Sequence, residues 1–498
     1  MFGNNTVNIF NPDQININSG NFVNGQLTQG SGDIIEVIRP SDGQIYHEVK
    51  ASTIDDIDAA VENAWQAFHN SGWSSMPPRD RMKIMRRWAD LIDADVEKLA
   101  PLEAIGSTRP IMDAKTWDVP FTAEGIRFFS EFADKFGGEI AASEAGKLGL
   151  TIAEPYGVVA AIAPWNFPLV MASWKIAAAM AAGNTIILKP SEMTPFSVIR
   201  LAELAIEAGV PSGVFNIVQG QGGIAGDALC RHPKVSKVTF TGSTATGSAI
   251  MSACARSGPK PVTLELGGKS PQIVFDDPVS IDVTAAIVAK AITGNAGQVC
   301  NAGSRLLVDE KIAEQFIESV QNNFTQLTAG PTWSDKTTLS PIISIHQNQM
   351  IDSAVQKAVS DGAEAICGGK VLSVSHKGAF YAPTILTNVE NNSDAAKKEL
   401  FGPVMTVQTF SNEDEAIAMA NDSEYGLAAG VHTADLSRAM RAIHKLETGN
   451  VWVNRYGRSN DFILPTGGYK KSGIGKDLGK QAYEANLRIK TALIEFPI

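Results

Sequence analysis

Between positions 157 and 268 the chain alternates five short apolar runs with helix-patterned segments. This alternation restricts the fold more than any other feature of the sequence. The runs are GVVAAIAP (157–164), TIILKP (185–190), GVFNIVQG (213–220), KVTFTGS (237–243) and PVTLELGG (261–268). PLVMASWKIAAAMAAG, PFSVIRLAELAIEAG, GIAGDALC and TATGSAIMSACARS lie between them and carry apolar residues at helical spacing. Apolar runs with no polar alternation need cover on both faces. The expected fold class is α/β, with a parallel sheet covered by helices on both sides. This is the doubly wound architecture that binds nucleotides at the carboxyl ends of its strands.

A second alternating block follows, through PQIVF, VTAAIVAKAI, RLLVD, EQFIESV, GPVMTVQTF, AAGVHT and NVWVN, and predicts another α/β domain. Ahead of both blocks, residues 52–102 predict two or three helices. The first opens on a capping box of Ser52 or Thr53 with Asp56. The first twenty or so residues, rich in Asn, read as an extended polar arm. ANLRIKTALIEF, near the C-terminus, alternates like a strand that docks on an existing sheet or on another subunit's; KLGLTIAEPYG (147–157) is a second segment of that kind.

A chain of 498 residues can bury a large core without disulfides or metals. Its net charge of −11 gives no general electrostatic help toward nucleic acid or an anionic membrane, so neither is expected as a partner. The N-terminus has neither the basic start nor the apolar core of a secretory signal, and no stretch predicts a membrane span. Four cysteines without a CxxC pair suggest reduced thiols and a cytoplasmic location. Scattered histidines without HExxH spacing argue against a metal site.

Several motifs can carry chemistry, and each also has a plain structural reading. GQGGIAG (220–226) has GxGxxxG spacing after a strand; Gly222 and its neighbours would let a pyrophosphate approach a helix N-terminus, or simply form a flexible turn. Cys300 sits among small residues in GNAGQVCNAGSR and fits a core role less well than Cys230, Cys254 and Cys367. As a nucleophile it would need an accessible thiolate. Glu265, inside an apolar strand before two glycines, reads as a general base with a raised pKa or as a carboxylate satisfied by Lys269. Asn166, stiffened by the prolines of PWNFP, could donate to an oxyanion or sit in a turn. Lys189 and Glu192 end a strand in LKPSE. Glu192 could bind a ribose and repel a 2′-phosphate, which favours NAD over NADP; a solvated charge pair is the other reading.

Taken together, PWNFP (164–168), LKPSE (188–192), FTGS (240–243), LELGGK (264–269), GQVCNAGSR (297–305), ELFGPV (399–404) and GGYKKSGIGKDLG (467–479) resemble the aldehyde dehydrogenase superfamily, in its order and spacing across nearly the whole chain. The resemblance implies NAD-dependent oxidation of a small-molecule aldehyde. Cys300 attacks the aldehyde, Asn166 and the Cys300 N–H hold the oxyanion, and Glu265 activates the water that hydrolyses the thioester. Lys175 and Asp477 relay the proton, with Asp477 standing where the family more often has Glu. The dinucleotide site would comprise Ile162, Pro164, Trp165, Lys189, Glu192, Gly222, Gly242, Ser243, Gly267, Glu399 and Phe401. Phe167, Met171, Trp174, Asn301, Arg458 and Thr466 would line the substrate pocket.

The family also implies two Rossmann-like domains and a small β oligomerisation element in a homodimer or homotetramer. The parts are a cofactor domain (1–134 and 155–264), a catalytic domain (265–466) and the β element (135–154 and 480–498). Where the family often has PFGG this chain has PTGG, so Thr466 removes an aromatic wall. Arg455, Arg458 and Asp461 fall in the substrate entrance, and a polar or acidic aldehyde pairing with an arginine is one expectation; solvated rim charges are the other. Competing functions are a CoA-acylating dehydrogenase, which usually lacks a glutamate at the place of Glu265, and a non-catalytic protein of the same fold.

Overall fold

The five apolar runs become parallel strands. The computed structural model describes residues 8–375, 377–459 and 461–497. In it the runs form β1 (Val158–Ile162), β2 (Thr185–Lys189), β3 (Phe215–Ile217), β4 (Val235–Thr241) and β5 (Val262–Glu265). Every residue of β1, β2 and β3 is buried, which accounts for their lack of polar alternation. Their order across the sheet is β3-β2-β1-β4-β5. The winding therefore reverses between β1 and β4, and a crevice opens at their carboxyl ends.

Helix Pro168–Ala181 follows β1. Its first position is a proline, where no N–H is needed, and Trp174 is its one residue not fully buried. Helix Ser197–Ala208 stops at Gly209, whose φ of 103° is left-handed. The expected capping box is present: Asp56 N donates to Thr53 Oγ1 at 3.3 Å and Thr53 N to the Asp56 carboxylate at 2.9 Å. The N-terminal region holds more helix than expected. Beyond Ile54–Asn70, Pro78–Ala94 and Val96–Gly106, it includes Val119–Ser130, entered through a π turn at Ala114–Asp118. Pro120 and Gly125 hide that last helix from pattern reading. Residues 1–7 of the expected polar arm lie outside the described residues. The rest of the arm lies against the body of the protein, with Ile9 N donating to Trp333 O at 2.9 Å.

The second block forms a sheet in the order Glu364–Cys367, Thr384–Thr387, Val404–Phe410, Arg305–Asp309, Pro271–Val274, Ala428–His432 and Asn450–Val453. All its pairings are parallel except the first. The chain thus contains two doubly wound sheets. The two segments expected to dock elsewhere dock on each other: Leu487–Glu495 runs antiparallel to Lys147–Pro155 within the same chain, and Ile140–Ala141 adds a third strand. Among the described residues no helix is long and apolar enough to cross a membrane.

Packing of the N-terminal helices on the first sheet is tested at Trp88, which is fully buried, donates from Nε1 to Leu201 O at 3.0 Å and lies near the Phe215 ring. Trp88→Ala should destabilise the protein by about 3–5 kcal/mol. A guanidinium unfolding midpoint equal to the parent's would contradict this packing.

Candidate active site

A cavity of about 410 Å³ lies where the carboxyl ends of β4 and β5 face loops of the second sheet. Three strand ends of the first sheet reach it: Pro164 to Phe167 after β1, Thr241 to Ser243 after β4, and Glu265 to Gly267 after β5. The second block contributes Cys300 and Asn301, Glu399 and Phe401, and Arg458 and Thr466. Asp477, Met171 and Trp174 complete the expected set on the wall.

The segment carrying Cys300 is held in an unfavourable backbone shape. Asn295, Ala296 and Gly297 have φ of 48°, 51° and 73° in succession. Two non-glycine residues there cost about 1–2 kcal/mol each, so the surroundings must impose the conformation. Gln298 does so from the core. Its Nε2 donates to Asn295 O and Pro341 O, both at 2.9 Å, and its Oε1 accepts from Ile343 N at 2.9 Å. Gln298 O accepts from Asn166 Nδ2 at 2.9 Å, while Asn295 Nδ2 donates to Asn166 O at 3.1 Å. One N–H of the Asn166 amide is thereby engaged and the second is free to donate.

Cys300 is half-buried against the cavity. Burial, reinforced by Glu399 and Glu265, pushes the thiol up to about 12, and the N–H groups of Asn301 and Cys300 pull the other way. Burial and the two carboxyls outweigh these donors, so the group rests as the thiol.

Glu265 is buried, and its Oε1 has no hydrogen-bond partner. Burial and the nearby charge of Asp477 push its carboxyl well above the usual range, with Lys175, Lys476 and Arg458 opposing. Lys269 is not its partner; that lysine neighbours Arg305 and Glu399 instead. Gly467 leaves room for the carboxylate, because a Cβ there would stand 2.7 Å from Glu265 Oε1. Lys175 lies behind the cavity wall, fully buried, donating to Asp477 Oδ2 at 2.6 Å and Phe240 O at 3.2 Å. Glu399 rests on the glycine pair: it accepts from Gly268 N at 3.1 Å, and a Cβ on Gly267 would stand 2.1 Å from its Oε2. Burial pushes Glu399 up to about 7.

The remaining cofactor candidates lie outside this cavity but beside one another. Ile162 and Lys189 pair across β1 and β2, and a Cβ on Gly226 would touch both side chains at 3.8 Å. Lys189 Nζ donates to Glu192 Oε2 at 3.3 Å, and the Glu192 side chain is 36% exposed. Gly222 opens a π turn leading into a five-residue helix rather than a long helix. The long helix whose N-terminus borders the cavity is Thr244–Arg256, capped by Ser243, which accepts from Thr246 N at 3.2 Å. The crevice, the capped helix end and the open space at Gly222 and Gly223 fit an extended dinucleotide.

Arg455 is exposed and Asp461 pairs with Arg458 outside the lining set. Sequence reasoning missed Trp117, Thr241, Gln347, Leu427 and Asn450 on the wall, as well as Asn295 and Gln298 beneath Cys300. GQVC contains Gln298, and an amide beside the candidate nucleophile was the available signal. Trp117 stands in none of the motifs. Among the described residues no group of three His, Cys, Asp or Glu side chains could hold a metal ion.

Because the thiol is raised, alkylation of Cys300 by neutral iodoacetamide should accelerate about tenfold per pH unit from pH 7 to 9, measured against Cys300→Ser as background. A rate constant over that range would show a thiol already ionised.

Comparison with known proteins gives one consistent answer. Residues 27–492 match the model of the aldehyde dehydrogenase family. The chain is 39% identical over 474 residues to the NADP/NAD-dependent aldehyde dehydrogenase PuuC of Escherichia coli K12, covering 95% of each protein. It is 39% identical over 482 residues to human mitochondrial 10-formyltetrahydrofolate dehydrogenase and spans only 52% of that protein's length. Its fold matches the crystal structure of an indole-3-acetaldehyde dehydrogenase complexed with NAD+ at a TM-score of 0.95, with 39% identity, 97% of this chain and 98% of that one. The chain belongs to the aldehyde dehydrogenase family.

Proposed function

We propose that this protein oxidises an aldehyde to its carboxylic acid with NAD as acceptor, through a covalent intermediate on Cys300. The observation that carries the reading is the convergence of Cys300, Asn166 and Glu265 on one cavity beside the crevice of a parallel sheet. The Cys300 thiol gives up its proton to solvent, and its sulfur bonds to the aldehyde carbon as the carbonyl π pair moves onto the oxygen. The oxygen gains negative charge and is met by the free Asn166 N–H and the Cys300 backbone N–H. When bound, a nicotinamide dinucleotide supplies the acceptor for the hydride leaving that carbon. Ile162, Lys189, Glu192, Gly222 and Ser243 would hold it on the adenosine and pyrophosphate side, and Pro164, Trp165, Gly242, Gly267, Glu399 and Phe401 toward the reacting end.

Glu265 then takes a proton from water as the water oxygen bonds to the thioester carbon and the C–S bond breaks. Its unpartnered Oε1 is the acceptor for that proton. The proton leaves through Lys175 and Asp477, already joined at 2.6 Å. The presence of this glutamate favours hydrolysis over transfer to coenzyme A. The division into a cofactor domain, a catalytic domain and a β oligomerisation element follows the same reading. Ile140, Ile489 and Leu493, 76%, 62% and 72% exposed, give the β element apolar surface for a homodimer or homotetramer. A reduced nucleophile suits the cytoplasm.

NADH formation with a small aldehyde should be abolished in Cys300→Ser and indifferent to added coenzyme A. No NADH from any aldehyde in the parent protein would end the reading. Glu265→Gln should give one NADH per site and then turn over about 10²–10⁴-fold more slowly, with the acyl group found on Cys300 by mass spectrometry. Both Cys300 and Glu265 act deprotonated and both are raised, so their active forms accumulate as pH rises; kcat/KM should climb from pH 6 to 9. A profile that falls over that range would contradict the assigned roles.

A further inference from the structure

The cavity beside Cys300 is lined by aromatic and apolar groups, carboxyls, amides and a single basic side chain, Arg458. No other Lys, Arg or His among the described residues lines it. The Arg458 side chain is 8% exposed and its guanidinium stands 5.9 Å from the Trp174 ring centre. Its nearest carboxylate, Asp461 Oδ1, is 3.6 Å away and also accepts from Ser459 N at 3.2 Å. Its hydrogen bonds are long: 3.2 Å to Leu464 O, 3.4 Å to Asn450 Oδ1 and 3.5 Å to Asp461 O. The other buried arginines are better satisfied. Arg109 meets Asp118 at 2.8 Å. Arg305 donates to three carbonyls at 2.7–2.9 Å. A buried cation with stretched contacts lacks the compensation that burial demands.

We propose that Arg458 receives a carboxylate borne on the far end of the substrate, so that the preferred substrates are short aldehydes carrying an acid group. A carboxylate matches the planar fork of a guanidinium and would supply the short charge-assisted bonds that Arg458 lacks. Glu265, Asp477 and Cys300 lie close enough for their charges to act on Arg458, so a ligand on the guanidinium shares the space that holds the reacting sulfur. The apolar wall of Trp117, Phe167 and Trp174 suits the methylene chain between the two ends. Arg455, exposed and bonded to Gly457 O, has no part in this.

The inference rests on the aldehyde-oxidation reading, and the test separates the two. Succinic semialdehyde and butyraldehyde share a four-carbon chain and differ in the terminal carboxylate. The parent protein should favour the acid in kcat/KM. Arg458→Gln should lower the acid-to-neutral ratio about 10- to 100-fold, mainly through KM. Arg458→Lys should restore part of the ratio, and Arg455→Gln should leave it in place. Binding gives a readout free of catalysis: calorimetry should show succinate binding more tightly than butyrate, with the difference lost in Arg458→Gln. A parent ratio at or below one, a ratio unmoved by Arg458→Gln, or equal binding of the two acids overturns the assignment while leaving aldehyde oxidation standing. No NADH from either aldehyde overturns both.

Discussion

The carboxamide of Gln298 is the contact on which the site depends. It is fully buried and ties the segment before Cys300 to Pro341 and Ile343, while its backbone oxygen takes the Asn166 amide from the first sheet. Two sheets built from separate stretches of chain are thereby tied together beside the cavity that Cys300 and Asn166 both line. Thr108 secures the arrangement from a third direction, donating to Asn295 Oδ1 at 2.7 Å. Each of these groups is buried, so losing one partner would leave the other unsatisfied at a cost of about 1–3 kcal/mol.

Backbone strain occurs at several points beside this cavity. Asn295, Ala296, Phe401 and Leu478 all adopt positive φ without being glycine. The first two precede Cys300, Phe401 lines the wall and Leu478 follows Asp477. Gln347 braces the Phe401 turn by donating to Leu400 O and Phe401 O, and Trp165 meets the Phe401 ring edge-on at 5.3 Å. The electrostatics show the same pattern of local cost. Cys300, Glu265 and Glu399 are all raised by burial.

Most of the fold was legible from periodicity. Runs such as TIILK and VVAAI have no polar side, and a strand of that kind is stable only under helices on both faces. The helix Val119–Ser130 was not legible, because a π turn, a proline and a glycine interrupt its pattern. Within the site, the motif residues kept a plain structural reading one by one, and it was seven motifs in the family's order that pointed to them together. Trp117, Leu427 and Asn450 were not legible, since ordinary residues become wall residues only when distant segments meet. The raised Cys300 thiol was not legible for the same reason: burial sets it first, and the carboxyls that add to it come from positions 399 and 265.

The sequence by itself determined the two parallel sheets, the reversal of winding that makes a crevice, and which polar residues stand at the strand ends. These follow from short-range rules: side-chain periodicity, capping and the conformational limits of proline and glycine. Tertiary structure alone decided that Arg458 lines the cavity while Arg455 faces water, how little compensates the charge of Arg458, and that burial raises the Cys300 thiol. Those properties depend on distances between segments hundreds of residues apart, and the energy of a buried charge is set by what surrounds it in space rather than along the chain.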